Sequence, residues 1–246
     1  MKHETLNIPL ELVEYSAKEN QTGALKTYLA FKFAYNGQVR IEDVNWHQIG
    51  SIAGFKDVRT VKAHLATCQD LDWIGSDGQW YIIRSFERVR ELTGAISRTA
   101  IEATPKQVSE ILEFALPAKI QSRARAKRYA RKTAGAKQTT PEPFTCLDNP
   151  ELCTPYFDTS VSCSLIGQWY GISASSASRL KARAKKAGYT TYQHRYKKIG
   201  THKANFGAVA ESIEAERLTI RDGELVIRLT DLFRPANYKF STRASL

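Results

Sequence analysis

The sequence predicts an α+β fold that is mainly helical. Apolar residues recur at the spacing of amphipathic helices through much of the first half of the chain, as in Leu25, Tyr28, Leu29 and Phe33. Two other segments alternate apolar and polar residues around an Asp-Gly pair, which is typical of β-hairpins. The chain has 246 residues, a length that slightly favours two domains of ordinary size over one large domain.

The first predicted domain spans residues 1–98. Its elements are a helical pair at 8–36 broken at 21–23, a strand at 39–41, helices at 45–53 and 57–71, a hairpin at 72–85 turned at Asp77-Gly78, and a helix at 87–98. The order helix, strand, helix, helix, hairpin is that of a winged-helix domain. We therefore expect a winged helix at the N-terminus.

The middle of the chain, residues 99–160, is predicted to hold a helix, a basic helical segment and a linker. Thr104-Pro105 indicates a helix start, and Pro117 is expected to end that helix. The apolar face between them is formed by Val108, Ile111, Leu112 and Ala115. Good helix formers follow Pro117, and residues 133–143 are rich in Thr, Gly and Pro, which is typical of a linker.

The second predicted domain, residues 161–246, begins with a helix-turn-helix pattern. In this pattern a small residue lets two helices approach, and a glycine in the turn accepts a positive φ. The matching residues are Ile166, Gly167, Tyr170, Gly171, Ile172, Ala177 and Leu180. The stretch from Ser164 to Tyr189 therefore resembles the helix-turn-helix of bacterial DNA-binding regulators.

The second helix of this motif is predicted to have two unlike faces. At about 100° per residue, Ala177, Leu180, Ala184 and Ala187 fall on one side. Ser173 is a suitable N-cap and Gly188 a suitable stop. The opposite, outward side is predicted to offer DNA-contacting residues to a major groove, namely Ser175, Ser176, Arg179, Arg183 and Lys186.

A weaker copy of the motif lies in the first domain. Its first helix and turn match at Ile49, Gly50, Ala53, Gly54 and Phe55, but the next apolar positions are displaced by one residue, which predicts a longer turn. The outward side is expected to present Lys56, Arg59, Thr60, Lys62 and Ala63. DNA contact is one interpretation of this helix, and dimerisation or protein contact is the other.

Two predicted β segments follow the second motif. Tyr189 to Lys198 reads as a strand whose Arg195, Lys197 and Lys198 are candidate phosphate contacts. Residues 217–229 alternate around Asp222-Gly223 and predict a hairpin that closes the second core.

The net charge of +11 and a pI of about 9.5 predict a polyanionic partner. Lys119 to Lys137 and Arg179 to Lys198 each carry eight of the 36 basic residues with no intervening acid. Such blocks repel themselves unless an anion neutralises them. In the first block Arg123, Arg125, Lys127 and Arg128 are predicted to contact DNA phosphates.

Other classes of protein and site are disfavoured by the sequence. No apolar run approaches the roughly 20 residues of a membrane span, and the first residues lack a signal-peptide core. We therefore expect a cytoplasmic, nucleoid-associated protein without membrane contact, whose cysteines stay thiols. A zinc site at Cys146, Cys153, Cys163 and His194 is the alternative, but the spacing fits no usual ligand set. We expect no cofactor and no metal.

Catalysis is not expected either. The chain lacks a P-loop, and its histidines form no metal-binding pair. A tyrosine nuclease built on Tyr189, Tyr192 or Tyr196 is the alternative, and no metal-binding triad supports it.

The order of a winged helix followed by a second helix-turn-helix resembles initiator proteins of plasmids and phages and some two-domain regulators. The resemblance implies a double-stranded DNA-binding protein of a bacterium or mobile element that regulates transcription or initiates replication. A homodimer and the replication or transcription machinery are the protein partners it leaves open. The alternative is a structural nucleoid or virion protein that binds DNA without sequence preference.

Overall fold

A computed structural model describes residues 4–35, 37–95, 99–133, 159–201, 218–221, 224–235 and 240–241. The described chain is mainly helical and carries small antiparallel sheets. The predicted α+β class is therefore confirmed at this level.

The N-terminal helices agree with the prediction, except that a strand precedes them. Strand β1 (Leu6–Pro9) leads into α1 (Leu10–Lys18) and α2 (Thr22–Ala34). Between the helices Asn20 adopts a positive φ of 57°, which places the break close to the predicted position. Most side chains of α2 are apolar and buried, including Tyr28, Phe31 and Phe33. Helix α2 is thus the central helix of the first core.

The next elements appear in the predicted order. They are β2 (Gln38–Arg40), a 3-10 turn (Ile41–Asp43), α3 (Trp46–Ala53), α4 (Val58–Asp70), β3 (Ile74–Ser76), β4 (Trp80–Ile83) and α5 (Phe86–Thr93). The three strands form an antiparallel sheet of order β2-β4-β3, with Val39 opposite Tyr81 and Gly75 opposite Ile82. Gly94, with φ of 69°, ends α5 earlier than the predicted residue 98.

Pro117 does not end a helix, so that prediction is wrong. Strand β5 (Ala100–Ala103) and the short α6 (Pro105–Val108) precede α7, which runs from Ile111 to Thr133 and contains Pro117. Phe114, Ala115, Leu116 and Ala118 around it are buried. Burial of these neighbours stabilises the helix against the hydrogen bond that the proline cannot make.

The C-terminal elements are β6 (Thr159–Ser160), α8 (Cys163–Tyr170), α9 (Ala174–Lys186), β7 (Thr190–Thr201), β8 (Leu218–Arg221), β9 (Glu224–Pro235) and β10 (Phe240–Ser241). The predicted strand near 189–198 and the hairpin at 217–229 are both confirmed, with Arg221 opposite Glu224. The predicted linker at 133–143 lies almost wholly outside the described residues.

The two sheets that flank the helix pairs have related strand orders. In the first, the strand before α3 pairs with the last strand of the following hairpin, giving β2-β4-β3. In the second, β6 precedes α8 and pairs with β9, giving β6-β9-β7, while β8 adds to β9. The sequence predicted a strand ahead of the helix pair only in the first unit.

The apolar residues of both units belong to one contiguous core. It runs from Leu25 and Trp73 through Ile120 to Ile166 and Leu180. A third sheet, β1-β5-β10, joins residues from the start, middle and end of the chain, and it was not predicted. The domain boundaries at 98/99 and 160/161 stay a prediction. Within the described residues no helix is both long and apolar enough to cross a bilayer.

Candidate nucleic-acid interface

The turn between α8 and α9 has the geometry that the motif requires. Gly171 follows α8 with φ of 65° and ψ of 27°, a region that favours glycine. A Cβ on Gly167 would lie 2.5 Å from the carbonyl oxygen of Ile172, so only glycine allows this approach of helix and turn. Ser173 caps α9, since its hydroxyl accepts a bond from the amide of Ser176 at 3.2 Å.

The turn between α3 and α4 repeats this geometry with one more residue. Gly54 has φ of 78°, and Asp57 caps α4 by accepting a bond from the amide of Arg59 at 2.8 Å. Residues 54–57 separate the helices here, whereas residues 171–173 separate α8 from α9. The longer turn expected from the displaced apolar positions is confirmed.

Helix α9 separates a buried side from an exposed side. Ala177, Leu180 and Ala184 are buried as predicted, but Ala187 follows the helix end at Lys186 and is exposed. The exposed face of α9, as the term is used below, comprises Ser175, Ser178, Arg179, Ala182 and Lys186. These residues fall on one side at about 100° per residue.

The hydroxyls at the start of α9 are already hydrogen-bonded. The Ser175 Oγ lies 3.0 Å from the Ser173 Oγ, and the Ser173 hydroxyl donates to the Ser176 Oγ at 3.1 Å. Ser176 is half-buried, whereas Ser175 is exposed. Of this predicted pair, Ser175 is therefore the residue whose side chain is open to a partner.

The two arginines predicted for DNA contact differ in their surroundings. Arg179 is exposed and makes no ion pair with any residue that the structure describes. Arg183 sits on the flank of the exposed face, and its Nε lies 2.7 Å from Oε1 of Glu113 on α7. The Arg183 side chain is still 64% exposed, while that of Glu113 is 12% exposed. This ion pair could not be predicted from the sequence, because Glu113 and Arg183 are 70 residues apart.

Helix α4 and the turn before it also present basic residues to solvent. Lys56, Arg59, Lys62 and Ala63 are exposed, while Thr60 is half-buried. The Lys62 Nζ lies 5.1 Å from the ring centre of Trp46, within the range of a cation–π contact. The exposed placement predicted for these residues is therefore confirmed for all but Thr60, which is half-buried.

The first basic residues of the block Lys119 to Lys137, which lie on α7, contact other side chains of the protein. The Lys119 Nζ lies 2.6 Å from the Glu14 carboxylate of α1, and the Arg123 guanidinium lies 5.6 Å from the ring centre of Trp169. Arg123 is half-buried there, and its phosphate contact stays a prediction. Arg125, Lys127 and Arg128 lie on α7, but their side chains are outside the described part of the chain.

Two lysines of α9 lie beside the ring of Tyr192. The Nζ atoms of Lys181 and Lys185 lie 5.1 Å and 4.6 Å from the ring centre of Tyr192, and Lys181 is buried. Strand β7 includes Arg195, Lys197 and Lys198, which pair in register with Leu229, Ile227 and Val226. The side chains of these three residues lie outside the description, so their phosphate contacts stay predicted.

Tyr189 is held by α7 rather than presented to a substrate. Its hydroxyl donates to Oε2 of Glu110 at 3.1 Å, and its ring packs edge-on against Phe114. Burial, helped by the bond to Glu110, raises the pKa of Tyr189 to about 12. A phenolate nucleophile is therefore disfavoured at this position.

Two of the four cysteines are described, and both are free. Cys68 is buried, and its Sγ donates to the carbonyl of Ala24 at 3.2 Å; Cys163 is half-buried at the start of α8. Burial raises the pKa of the Cys68 thiol well above its usual range. Cys146 and Cys153 of the alternative zinc site lie outside the described residues.

Comparison of the chain with protein-family models, with curated proteins and with solved structures found no match in any of the three.

Proposed function

We propose that the chain binds double-stranded DNA and reads its site with α9 in the major groove. The observation that carries this proposal is the two-sided construction of α9. Its buried side fixes the helix on the core, while the exposed face of α9 offers Arg179, Lys186 and Ser175 to a partner. Arginine to guanine is the commonest base-specific contact in a major groove.

The arrangement around α9 supports the proposal. A strand precedes the helix pair, and the long strands β7 and β9 follow it, which is the element order of a winged helix. We therefore infer that both units are winged helices, the second with the longer wing. In such domains the second helix of the pair enters the groove and neighbouring segments contact the backbone.

The first unit is proposed to add a second contact to the duplex. Its α4 has a capped start and follows a turn with a positive-φ glycine, as α9 does. Lys56 in that turn and Arg59 and Lys62 on α4 are exposed. These residues favour phosphate contact, because a lysine is a compact charge and few hydrogen-bonding side chains accompany it for base reading. The net charge of +11 acts in the same direction.

In this proposal the protein acts by occupying its DNA site and not by catalysis. We propose a transcriptional regulator or a replication initiator of a bacterium or mobile element. A structural nucleoid or virion protein is the second candidate, and the basic block on α7 is the feature that favours it. The two differ in sequence preference, since a packaging protein binds every duplex alike.

The test is selection of a duplex from a randomised library by the full chain, followed by competition against a scrambled duplex of equal length. A reader prefers its selected duplex by about a thousandfold or more. Arg179→Ala should lower that preference by about 1 to 3 kcal/mol. Arg88→Ala is a matched control, because Arg88 is an exposed arginine of α5, which is not a helix of either helix pair.

Equal affinity of the wild type for both duplexes would contradict a sequence-specific regulator or initiator and would favour the packaging protein. If Arg179→Ala keeps the wild-type preference for the selected duplex, the assignment of α9 to the major groove is wrong.

A further inference from the structure

We propose that Glu113 is a positioning residue for DNA reading, because it holds the guanidinium of Arg183 in place beside the exposed face of α9. The inference rests on the proposed function. It assigns a specificity role to a residue of α7 that does not itself reach the DNA.

The ion pair leaves most of the guanidinium available. The contact to Glu113 runs through Nε, at 2.7 Å. A guanidinium has five N–H donors, and the four on its two terminal nitrogens are the ones that bind a guanine edge or a phosphate as a pair. The 64% exposure of the Arg183 side chain agrees with this division. Arg183 is thus anchored on its inner side and open on its outer side.

Glu113 is a rigid anchor. It lies in the first turn of α7, and only 12% of its side chain is exposed. Its helix is held on the same side by a second contact, since Tyr189 donates to Glu110 one turn earlier. Helix α7 also packs on α1 of the first unit, where the Lys119 Nζ lies 2.6 Å from the Glu14 carboxylate. The carboxylate that fixes Arg183 is therefore itself fixed.

An anchored arginine binds with less loss of freedom than a mobile one. Ordering a long side chain at an interface costs about 0.5 to 1.5 kcal/mol, and a bond formed before binding removes part of that cost. The resulting gain in affinity depends on the direction in which the guanidinium points. It is therefore largest for the duplex whose hydrogen-bond acceptors lie in that direction. Glu113 should therefore affect preference for the selected duplex more than general affinity for DNA.

The test is a double-mutant cycle with Glu113→Gln and Arg183→Ala in the full chain. Affinities are measured for the selected duplex and for the scrambled duplex, and thermal unfolding is measured on the same samples. Glu113→Gln should lower the preference for the selected duplex about fivefold to tenfold, and it should have no further effect on preference in the Arg183→Ala background. Affinity for the scrambled duplex should not fall.

A matched control is Glu91→Gln, which breaks the ion pair of Glu91 with Arg88 on α5 and should leave the preference unchanged. If the ion pair between α7 and α9 only stabilises the fold, the variants should behave differently. Glu113→Gln would then lower the unfolding temperature and weaken both duplexes equally, and this result would overturn the inference. An equal effect of Glu113→Gln with and without Arg183 would overturn it as well.

The proposed function fails separately from this inference. If Arg179→Ala lowers the preference while Glu113→Gln and Arg183→Ala do not, the reading helix stands and the role of Glu113 is wrong. If none of the three variants changes the preference, the reading helix itself is wrong.

Discussion

The backbone amide of Ile172 donates to the carbonyl of Gly167 at 3.0 Å, and this bond folds the turn back onto α8. The first unit has the same bond, from Phe55 to Gly50 at 2.8 Å. In both units the bond brings a backbone oxygen against a glycine of the first helix. The two turns differ in how closely that oxygen approaches.

Gly167→Ala should destabilise the protein more than Gly50→Ala. A Cβ would meet the Ile172 carbonyl oxygen at 2.5 Å in the first variant and the Phe55 carbonyl oxygen at 3.0 Å in the second. Both contacts involve backbone, which moves less readily than a side chain. We expect a loss of more than about 1 kcal/mol for Gly167→Ala, measured by denaturant unfolding. Equal losses in the two variants would mean that the closer approach carries no strain.

Gly171→Val should lower stability by more than about 1 kcal/mol and weaken DNA binding with it. Gly171 has a positive φ, and its Cβ would lie 3.0 Å from the Cα of Lys18 on α1. Gly188→Val is the matched control, because Gly188 also has a positive φ of 77° but no atom within 4 Å of its Cβ position. If the two variants unfold at the same temperature, the contact with α1 contributes nothing.

Lys32→Met should raise stability near neutral pH. Burial lowers the pKa of Lys32 to about 8. Its Nζ donates to the Arg84 carbonyl at 3.0 Å and lies 4.9 Å from the ring centre of Phe86, but no carboxylate among the described residues pairs with it. That carbonyl keeps its bond from the Tyr28 hydroxyl, at 2.9 Å, when the lysine is replaced. The variant therefore loses a partly desolvated charge without leaving an unpaired acceptor, and its methionine can still contact the rings.

The same residue predicts how stability depends on pH. A lysine whose pKa is lowered on folding binds fewer protons in the folded state, so wild-type stability should rise between the folded pKa of about 8 and the ordinary lysine pKa of 10.5. Denaturant unfolding at pH 7 and pH 9.5 measures this rise. It should shrink in Lys32→Met and persist in Lys56→Met, where the lysine is exposed. A rise of the same size in both variants would contradict the assignment.

Replacement of Arg125, Lys127 and Arg128 by Gln should flatten the salt dependence of DNA affinity. Each phosphate contact contributes about −0.9 to the slope of log affinity against log salt, so the change should reach up to about 3 units. Sequence preference should stay nearly constant, because phosphate contacts carry no sequence information. Arg123 is left in place, since it packs on Trp169. An unchanged slope would make the segment a solvated helix or a protein-docking segment.

The local motifs of both helix pairs could be predicted from the sequence. Gly54 and Gly171 occupy turns whose positive φ selects glycine, and Ser173 and Asp57 are caps whose bonds lie within three residues. Such features depend on neighbours in the chain. For that reason even the extra residue in the first turn was visible in the spacing of the apolar positions.

The partners of the charged residues could not be predicted in the same way. Lys119 and Arg183 lie in blocks without acids, but Glu14 and Glu113 reach them from other helices. Pro117 was assigned to a helix end because local preference disfavours it, whereas burial of its neighbours holds it within α7. In each case the decisive contact lies far away in sequence or depends on packing.

The central claim is that α9 lies in the major groove of a duplex, and methylation interference on the selected duplex tests it most directly. Methyl groups on guanine N7 occupy the major groove and those on adenine N3 the minor groove. We predict that N7 methylation at a few guanines blocks binding of the wild type and that Arg179→Ala becomes insensitive at one of them. Interference confined to adenine N3, with the same pattern in Arg179→Ala, would contradict the account.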